Sequence, residues 1–261
     1  MLVTADIGNT ESVFGIWREK ILLSVIRLPT KEIHDTKSWV NRLYHWEKEL
    51  SKPDKNLTRS QFSDFVFCSV VPSVDSLIED SIKKSGIQNI IKVTEKAKLP
   101  FEFDYESKST LGSDRIANAA GAVSFYGENL VIVDFGTAIT FCIVQNRKYK
   151  ANVIAPSMRV SLNGLLANTA KLKEVELSKP KSISGKSTEE AMMAGFYYGW
   201  KGLVKEIVCE FKKQVSEKTL FIATGGISTV LDYNYEYFDI IDKNLTLRGL
   251  LAVYRYNEKL I

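Results

Sequence analysis

Histidine is nearly missing from this chain, with only His34 and His45 among 261 residues. That scarcity argues against a Ser–His–Asp triad, which needs a placed imidazole, and, with no CxxC motif in the chain, against a zinc centre. Cysteine is scarce too. Cys68, Cys142 and Cys209 are odd in number, widely spaced and set in apolar segments, with no CxxC pair, so buried free thiols are expected. No apolar run exceeds strand length, so no membrane span is expected. No basic n-region precedes the first strand at Leu2, which directs nothing to export and makes the cytoplasm the expected compartment. An Arg-rich patch interleaved with aromatics is also lacking. The net charge of +4 comes mostly from Lys scattered among Glu and Asp, which gives no sign of nucleic-acid binding.

What is present is an ordinary globular composition, 45% hydrophobic and 25% charged, in a chain long enough for one large domain or two of usual size. The most informative feature is an echo: Asp6-Ile7-Gly8-Asn9-Thr10 returns as Asp134-Phe135-Gly136-Thr137. Each copy follows a short apolar run and precedes a second strand-like run. A strand ending in Asp, a Gly and a Thr hydroxyl together suit a phosphate–metal site, because the Gly lets backbone approach a ligand and successive N–H groups can face an anion. The carboxylate suits Mg²⁺, which prefers few carboxylates plus substrate phosphates. One such turn is also what an ordinary hairpin looks like. Two, each at a strand end near the start of a half-chain, favour the ligand reading.

Periodicity and turn residues predict strands at 2–6, 12–17, 20–28, 64–69 and 89–93, with helices at 33–50, 74–85 and 113–126. The second half repeats the order, with strands at 130–134, 138–144, 148–154 and 219–223 and helices at 161–170, 188–213 and 245–258. No low-complexity linker separates the halves. The expected domains are therefore 1–128 and 129–261, a duplicated α/β ribonuclease-H-like unit with mixed sheets flanked by helices and a nucleotide in the cleft between related domains. A third glycine turn, Thr224-Gly225-Gly226, ends a buried strand and serves either a tight turn or the nucleoside end of a nucleotide.

Candidate chemistry lies at Gly112-Ser113-Asp114-Arg115, where Ser113 can cap a helix and Asp114 falls in its first turn. Asp favours that place through the helix dipole alone, whereas Arg115 gains nothing from it. The pair reads equally as helix-start chemistry or as a divided site, with Arg115 clamping a carboxylate and Asp114 accepting a hydroxyl proton.

These residues carry a resemblance. The chain resembles the type III pantothenate kinases, a group that includes the Bvg accessory factor homologues. The likeness runs through Asp6-Ile7-Gly8-Asn9-Thr10, Cys68-Ser69-Val70-Val71-Pro72, Gly112-Ser113-Asp114-Arg115-Ile116-Ala117-Asn118 and Val133-Asp134-Phe135-Gly136-Thr137-Ala138-Ile139-Thr140. It continues in Gly185-Lys186-Ser187-Thr188, Ala223-Thr224-Gly225-Gly226 and Leu245-Thr246-Leu247-Arg248-Gly249-Leu250. It implies the actin/hexokinase-like kinase fold and ATP-dependent phosphorylation of pantothenate to 4′-phosphopantothenate, the first step of coenzyme A synthesis, with Mg²⁺.

By the same resemblance, Asp6, Ile7, Gly8, Asn9, Thr10, Glu11, Ser12 and Val13 are the nucleotide phosphate loop, and Thr137 reaches the nucleotide. Asp134 is implied as the ligand of a monovalent cation, potassium or ammonium. Gly112, Ser113, Asp114 and Arg115 are implied to bind pantothenate, with Asp114 as general base and Tyr105 and Thr188 as further contacts, the Thr lying near a homodimer interface. Gly195 and Gly199 offer a small-residue helix face, for a partner or for packing within the chain. The family's Asn-Pro is here Ser107-Lys108, its later Asp is Cys142, its Gly-Gly is Ala151-Asn152, and a loop Gly is Ser157. Other expectations for the fold are a phosphoanhydride hydrolase and a non-enzymatic accessory factor. The Gly112–Arg115 segment speaks against the hydrolase.

Overall fold

Two apolar runs, each broken by an acidic turn, seed the architecture. A computed structural model describes residues 1–34, 41–42, 45, 62–87, 89–226 and 237–258. The chain packs into two compact units, Met1–Phe125 with Leu245–Ile261, and Tyr126–Asn244. In the first unit, β1 (Leu2–Ile7) and β2 (Glu11–Arg18) pair antiparallel, as do β2 and β3 (Ile21–Pro29). On the other side β4 (Asp64–Ser69) and β5 (Asn89–Lys92) join in parallel, giving the order β3-β2-β1-β4-β5. Parallel neighbours need a crossover, which α1 (Pro72–Lys84) supplies between β4 and β5. Its Pro72 costs no hydrogen bond there, since the first N–H groups of a helix lack partners anyway.

After β6 (Glu102–Phe103) and α2 (Ser113–Tyr126), the pattern starts again. β7 (Leu130–Phe135), β8 (Ala138–Gln145) and β9 (Lys148–Pro156) form an antiparallel meander, followed by α3 (Met158–Ala167) and α4 (Thr188–Gln214). β10 (Leu220–Gly225) and β11 (Ile240–Ile241) then add in parallel, giving β11-β10-β7-β8-β9. Strand for strand this repeats the first sheet, as the sequence echo predicts. Side chains alternate across each strand. Val3, Ala5 and Ile7 enter a core with Phe65, Phe67, Val74 and Ile78. Val131, Val133 and Phe135 enter a second core with Phe141, Val204 and Phe238. Asp6 and Asp134 thus fall on the faces opposite these cores.

Chain order alone assigns the last helix, α5 (Leu245–Glu258), to the second domain. It packs instead in the first unit, against β1 and β4, burying Leu247, Leu250, Leu251 and Val253. There it crosses α2 backbone to backbone. A Cβ on Gly249 would overlap the Ala117 carbonyl, and a Cβ on Gly121 would stand 2.9 Å from Gly249 N. Beside the crossing, Thr246 Oγ1 donates to Asn118 Oδ1 at 2.8 Å.

Other expectations shift less. α3 begins at Met158 rather than at 161, because Ser157 Oγ accepts the Val160 N–H at 3.3 Å and caps the helix earlier. Of the helix expected at 33–50, most lies outside the described residues, and Thr30–His34 forms a 3-10 helix. Cys68 and Cys142 are buried free thiols, whereas Cys209 is only half-buried.

Gly249→Ala should force the helices apart and cost about 3 kcal/mol, since added atoms in a tight contact typically cost 1–3 kcal/mol or more. Gly164→Ala is the matched control. Its Cβ would meet nothing within 4 Å, so it should gain up to about 1 kcal/mol of helix propensity. Urea unfolding of both variants reads the difference; equal stabilities would refute the crossing as a constraint.

Candidate active site

In the first unit, the turn between β1 and β2 is closed by the Gly8 N–H, which donates to the Glu11 carbonyl at 3.1 Å. Asn9, Thr10 and Glu11 are exposed, Val13 is half-buried, and Ile7 and Ser12 are buried. Thr30 stands behind this turn. Its Oγ1 donates to the Gly8 carbonyl at 2.6 Å and its N–H donates to the Thr10 carbonyl at 3.1 Å. Ser12 Oγ lies 2.8 Å from Thr30 Oγ1. With the Thr30 proton given to Gly8, Ser12 is the donor in that contact, so its hydroxyl points inward.

Asp6 is half-buried at the end of β1, directly across from Cys68 on β4. The Cys68 thiol donates to Asp6 Oδ1 at 3.4 Å. Burial pushes this thiol well above its ordinary range, and the negative charges of Asp6 and Asp114 push it further the same way. Cys68 therefore stays a neutral donor to Asp6 and feels the charge of Asp114, an acid 46 residues further along the sequence.

At the end of β4, the Ser69 N–H donates to Ser113 Oγ at 2.9 Å, while Ser113 Oγ donates to the Ser69 carbonyl at 2.7 Å. The expected helix cap is thus replaced by a clamp: Ser113 is the first residue of α2 and joins that helix to the strand. Next along, Asp114 and Arg115 are both half-buried, and Asp114 Oδ1 accepts the Arg115 N–H at 2.7 Å. The carboxylate lies over Gly112, where a Cβ would overlap Oδ1 and stand 3.4 Å from Arg115 Nε. A side chain at this position would displace the Asp114 carboxylate from where it lies. Tyr105, half-buried, lies in the segment leading to α2.

The second unit holds the matching turn. Gly136 N–H donates to the Ala138 carbonyl at 3.1 Å, with Gly136 and Thr137 exposed. Asp134 sits half-buried at the end of β7, with Thr140 of β8 and Thr224 of β10 beside it in register. Thr140 Oγ1 is buried without a hydrogen-bond partner among the described residues. Gly225 adopts φ +89°, and a Cβ there would lie 2.7 Å from Asp134 Oδ1. A carboxylate, an unsatisfied hydroxyl and a close bare backbone fit a hard cation.

Thr188 lies elsewhere in this unit, exposed at the first position of α4, after the cap Ser187, whose Oγ accepts the Glu190 N–H at 3.2 Å. A cavity of about 350 Å³ adjoins that cap, lined by Lys181, Ser184, Lys186 and Glu190 among others, and includes none of the three aspartates.

Three of the four departures from the family pattern have local roles, and that at Ala151-Asn152 has no structural explanation. Cys142 Sγ accepts the buried Tyr149 hydroxyl at 3.2 Å, Ser157 caps α3, and the Ser107 carbonyl accepts the Thr110 N–H at 3.0 Å in a 3-10 turn. Among the described residues no cluster of three or more His, Cys, Asp or Glu occurs.

The family model described as type III pantothenate kinase matches residues 2–210. A curated relative of that name from Bacillus cytotoxicus is 34% identical over 258 residues, covering 98% of this chain and 97% of its own. This chain belongs to the type III pantothenate kinase family. It is a kinase: the family's reaction is ATP-dependent phosphorylation of pantothenate in coenzyme A biosynthesis, and a divalent metal goes with it. Among solved structures, a Campylobacter jejuni protein provisionally named a Baf family transcriptional activator is similar at TM-score 0.60 and 21% identity, covering 98% of this chain and 99% of its own. A provisionally named N-acetylglucosamine kinase from Porphyromonas gingivalis is similar at TM-score 0.50 and 13% identity, covering 99% and 100%. Both likenesses speak for the actin/hexokinase-like fold of this pantothenate kinase. Among its described residues no helix is long and apolar enough to cross a membrane.

Cys68 gives stability a pH dependence. Above its ordinary value of 9.0 the unfolded thiol loses its proton while the folded one keeps it. The unfolded state then binds fewer protons, so this contribution is fully present below that pH and is lost as pH rises. In urea titrations, wild type should lose up to about 1.4 kcal/mol more per pH unit than Cys68→Ser in that window. Parallel slopes would mean that Cys68 is not the source.

Proposed function

We infer that Asp114 is the general base of this pantothenate kinase. The observation that supports it is the placing of Asp114 and Arg115 beside Gly112 at the start of α2, where the charge of Asp114 reaches the Cys68 thiol that donates to Asp6. In this reading the guanidinium of Arg115 holds the pantothenate carboxylate, and Gly112, Tyr105 and Thr188 complete the contacts. Ser113 contributes by anchoring the segment, because its hydroxyl is already engaged by Ser69. The substrate hydroxyl oxygen forms a bond to the γ-phosphorus while the bond to the β–γ bridging oxygen breaks, ADP leaves with that electron pair, and Asp114 takes the hydroxyl proton.

The turn from Asp6 to Val13 holds the nucleotide phosphates, and Thr137 adds a hydroxyl to the nucleotide. Mg²⁺ suits Asp6, since it is content with one carboxylate and substrate phosphates. When bound, it neutralises charge on the β- and γ-phosphates. Asp134, with the unsatisfied Thr140 Oγ1, would hold potassium or ammonium. A cytoplasmic setting accords with this chemistry.

We also infer a homodimer. Gly195, Gly199 and Gly202 leave open space on α4, and the same unit exposes Ile154, Val160, Leu165 and Tyr198. Gly199→Arg should convert a dimer to a monomer in sedimentation equilibrium. A wild-type chain that sediments as a monomer ends this part of the reading.

Asp114→Asn keeps a good first-turn residue and should cost under about 1 kcal/mol of stability. As the base, its loss should lower turnover roughly 10²–10⁴-fold while pantothenate KM changes little. Near-wild-type turnover on the folded variant would remove Asp114 from the mechanism. Asp134→Asn should abolish stimulation by potassium in a folded protein, and unchanged potassium dependence would assign the ion elsewhere.

A further inference from the structure

A backbone bond within the phosphate turn, Gly8 N–H to the Glu11 carbonyl, closes it. Thr30, which belongs to no motif singled out in the sequence, makes three contacts with it. Oγ1 donates to the Gly8 carbonyl, the N–H donates to the Thr10 carbonyl, and Oγ1 accepts from Ser12. Thr30 is itself 4% exposed, so these contacts are shielded from water.

A trans peptide sets its carbonyl and the following N–H on opposite sides, and the described residues contain no cis peptide. Drawing the Gly8 and Thr10 carbonyls toward Thr30 therefore turns the Asn9 and Glu11 N–H groups away from it. Two electronegative oxygens leave the outer side of the turn and two donors take their place. This is the polarity an anion requires.

The second copy of the fold provides an internal comparison. Glu11 faces Pro29 in register as Ala138 faces Pro156, so Ser157 is the counterpart of Thr30. The Ser157 hydroxyl is spent on the Val160 N–H as a helix cap. The same position thus serves a helix in one copy and the turn in the other.

We propose that Thr30 is a positioning residue for nucleotide binding, whose hydroxyl fixes the Gly8–Glu11 turn with its Asn9 and Glu11 N–H groups facing the phosphates. This rests on the reading of that turn as the phosphate loop.

Steady-state kinetics of the full chain, with Mg·ATP and pantothenate varied separately, test it. T30V keeps the shape and removes the hydroxyl. Losing the two buried hydrogen bonds of that hydroxyl, to the Gly8 carbonyl and from Ser12, should raise KM for ATP about tenfold and leave KM for pantothenate within about twofold. T30S should restore the ATP value to within about threefold. If T30V does not fold, T30C against T30S reads the same quantity, because the two differ by one atom and the thiol is the weaker donor.

A purely structural Thr30 would lower thermal stability while leaving both KM values alone, or would shift both together, and either result overturns the proposal. Gly8→Ala separates this from failure of the phosphate-loop reading, since its Cβ would sit 2.8 Å from the Glu11 carbonyl oxygen in the turn itself. A raised ATP KM in Gly8→Ala with a normal one in T30V sinks only the role of Thr30. Normal values in both sink the phosphate loop.

Discussion

The crossing of α2 and α5 fixes the geometry from which the first unit's chemistry follows. At Gly249 and Ala117 the two helices touch backbone to backbone, with no side chain between them to yield. α5 lies on β1 and β4, whose ends carry Asp6 and Ser69, and α2 begins with Ser113 and Asp114. The reciprocal hydrogen bonds between Ser69 and Ser113 then set the start of α2 against the end of β4. The Cys68 thiol, neutral and buried, donates to Asp6 and feels the negative charge of Asp114 as well, so the strand end and the helix start share one electrostatic neighbourhood.

The two copies share a frame and diverge in its details. Both have a strand ending in Asp, a Gly whose N–H closes the next turn, and a parallel strand alongside. In register with the acid stand Val13 and Cys68 in one copy, Thr140 and Thr224 in the other. A thiol that donates suits an acid meant to stay oriented. An unsatisfied hydroxyl beside an acid suits a cation. Divergence at these side chains gives two turns of one shape different surroundings.

Much of this was legible in the sequence, because strands and helices announce themselves through local periodicity and turn residues. α1, α2 and α5 lie within two residues of their expected bounds, and the strand-ending aspartates stand where the echo put them. What stayed hidden depends on pairs distant in the chain. Nothing near Gly249 shows that Ala117 will lie on it, so α5 reads as part of the half in which it occurs. Ser113 looks like a cap because caps are local, while its partner Ser69 is visible only once β4 and α2 have met. Thr30 carries no local signal either, since a Pro-Thr after a strand is an ordinary turn until the register sets it behind Gly8. Cys68 was legible as a buried thiol, but its partner Asp6 required the β1–β4 register.

The return of α5 to the first unit bears on how the protein is made. Ribosomes deliver the N-terminal strands early, and domains usually fold as they emerge. Here β1 must wait, with the face beneath Leu247 and Leu250 uncovered, until α5 has been made. The unit begun first is therefore completed only after the second has been translated. A chain stopped just before Leu245 would keep Asp6, Asp114 and Asp134 and still lack the helix that covers β1 and β4.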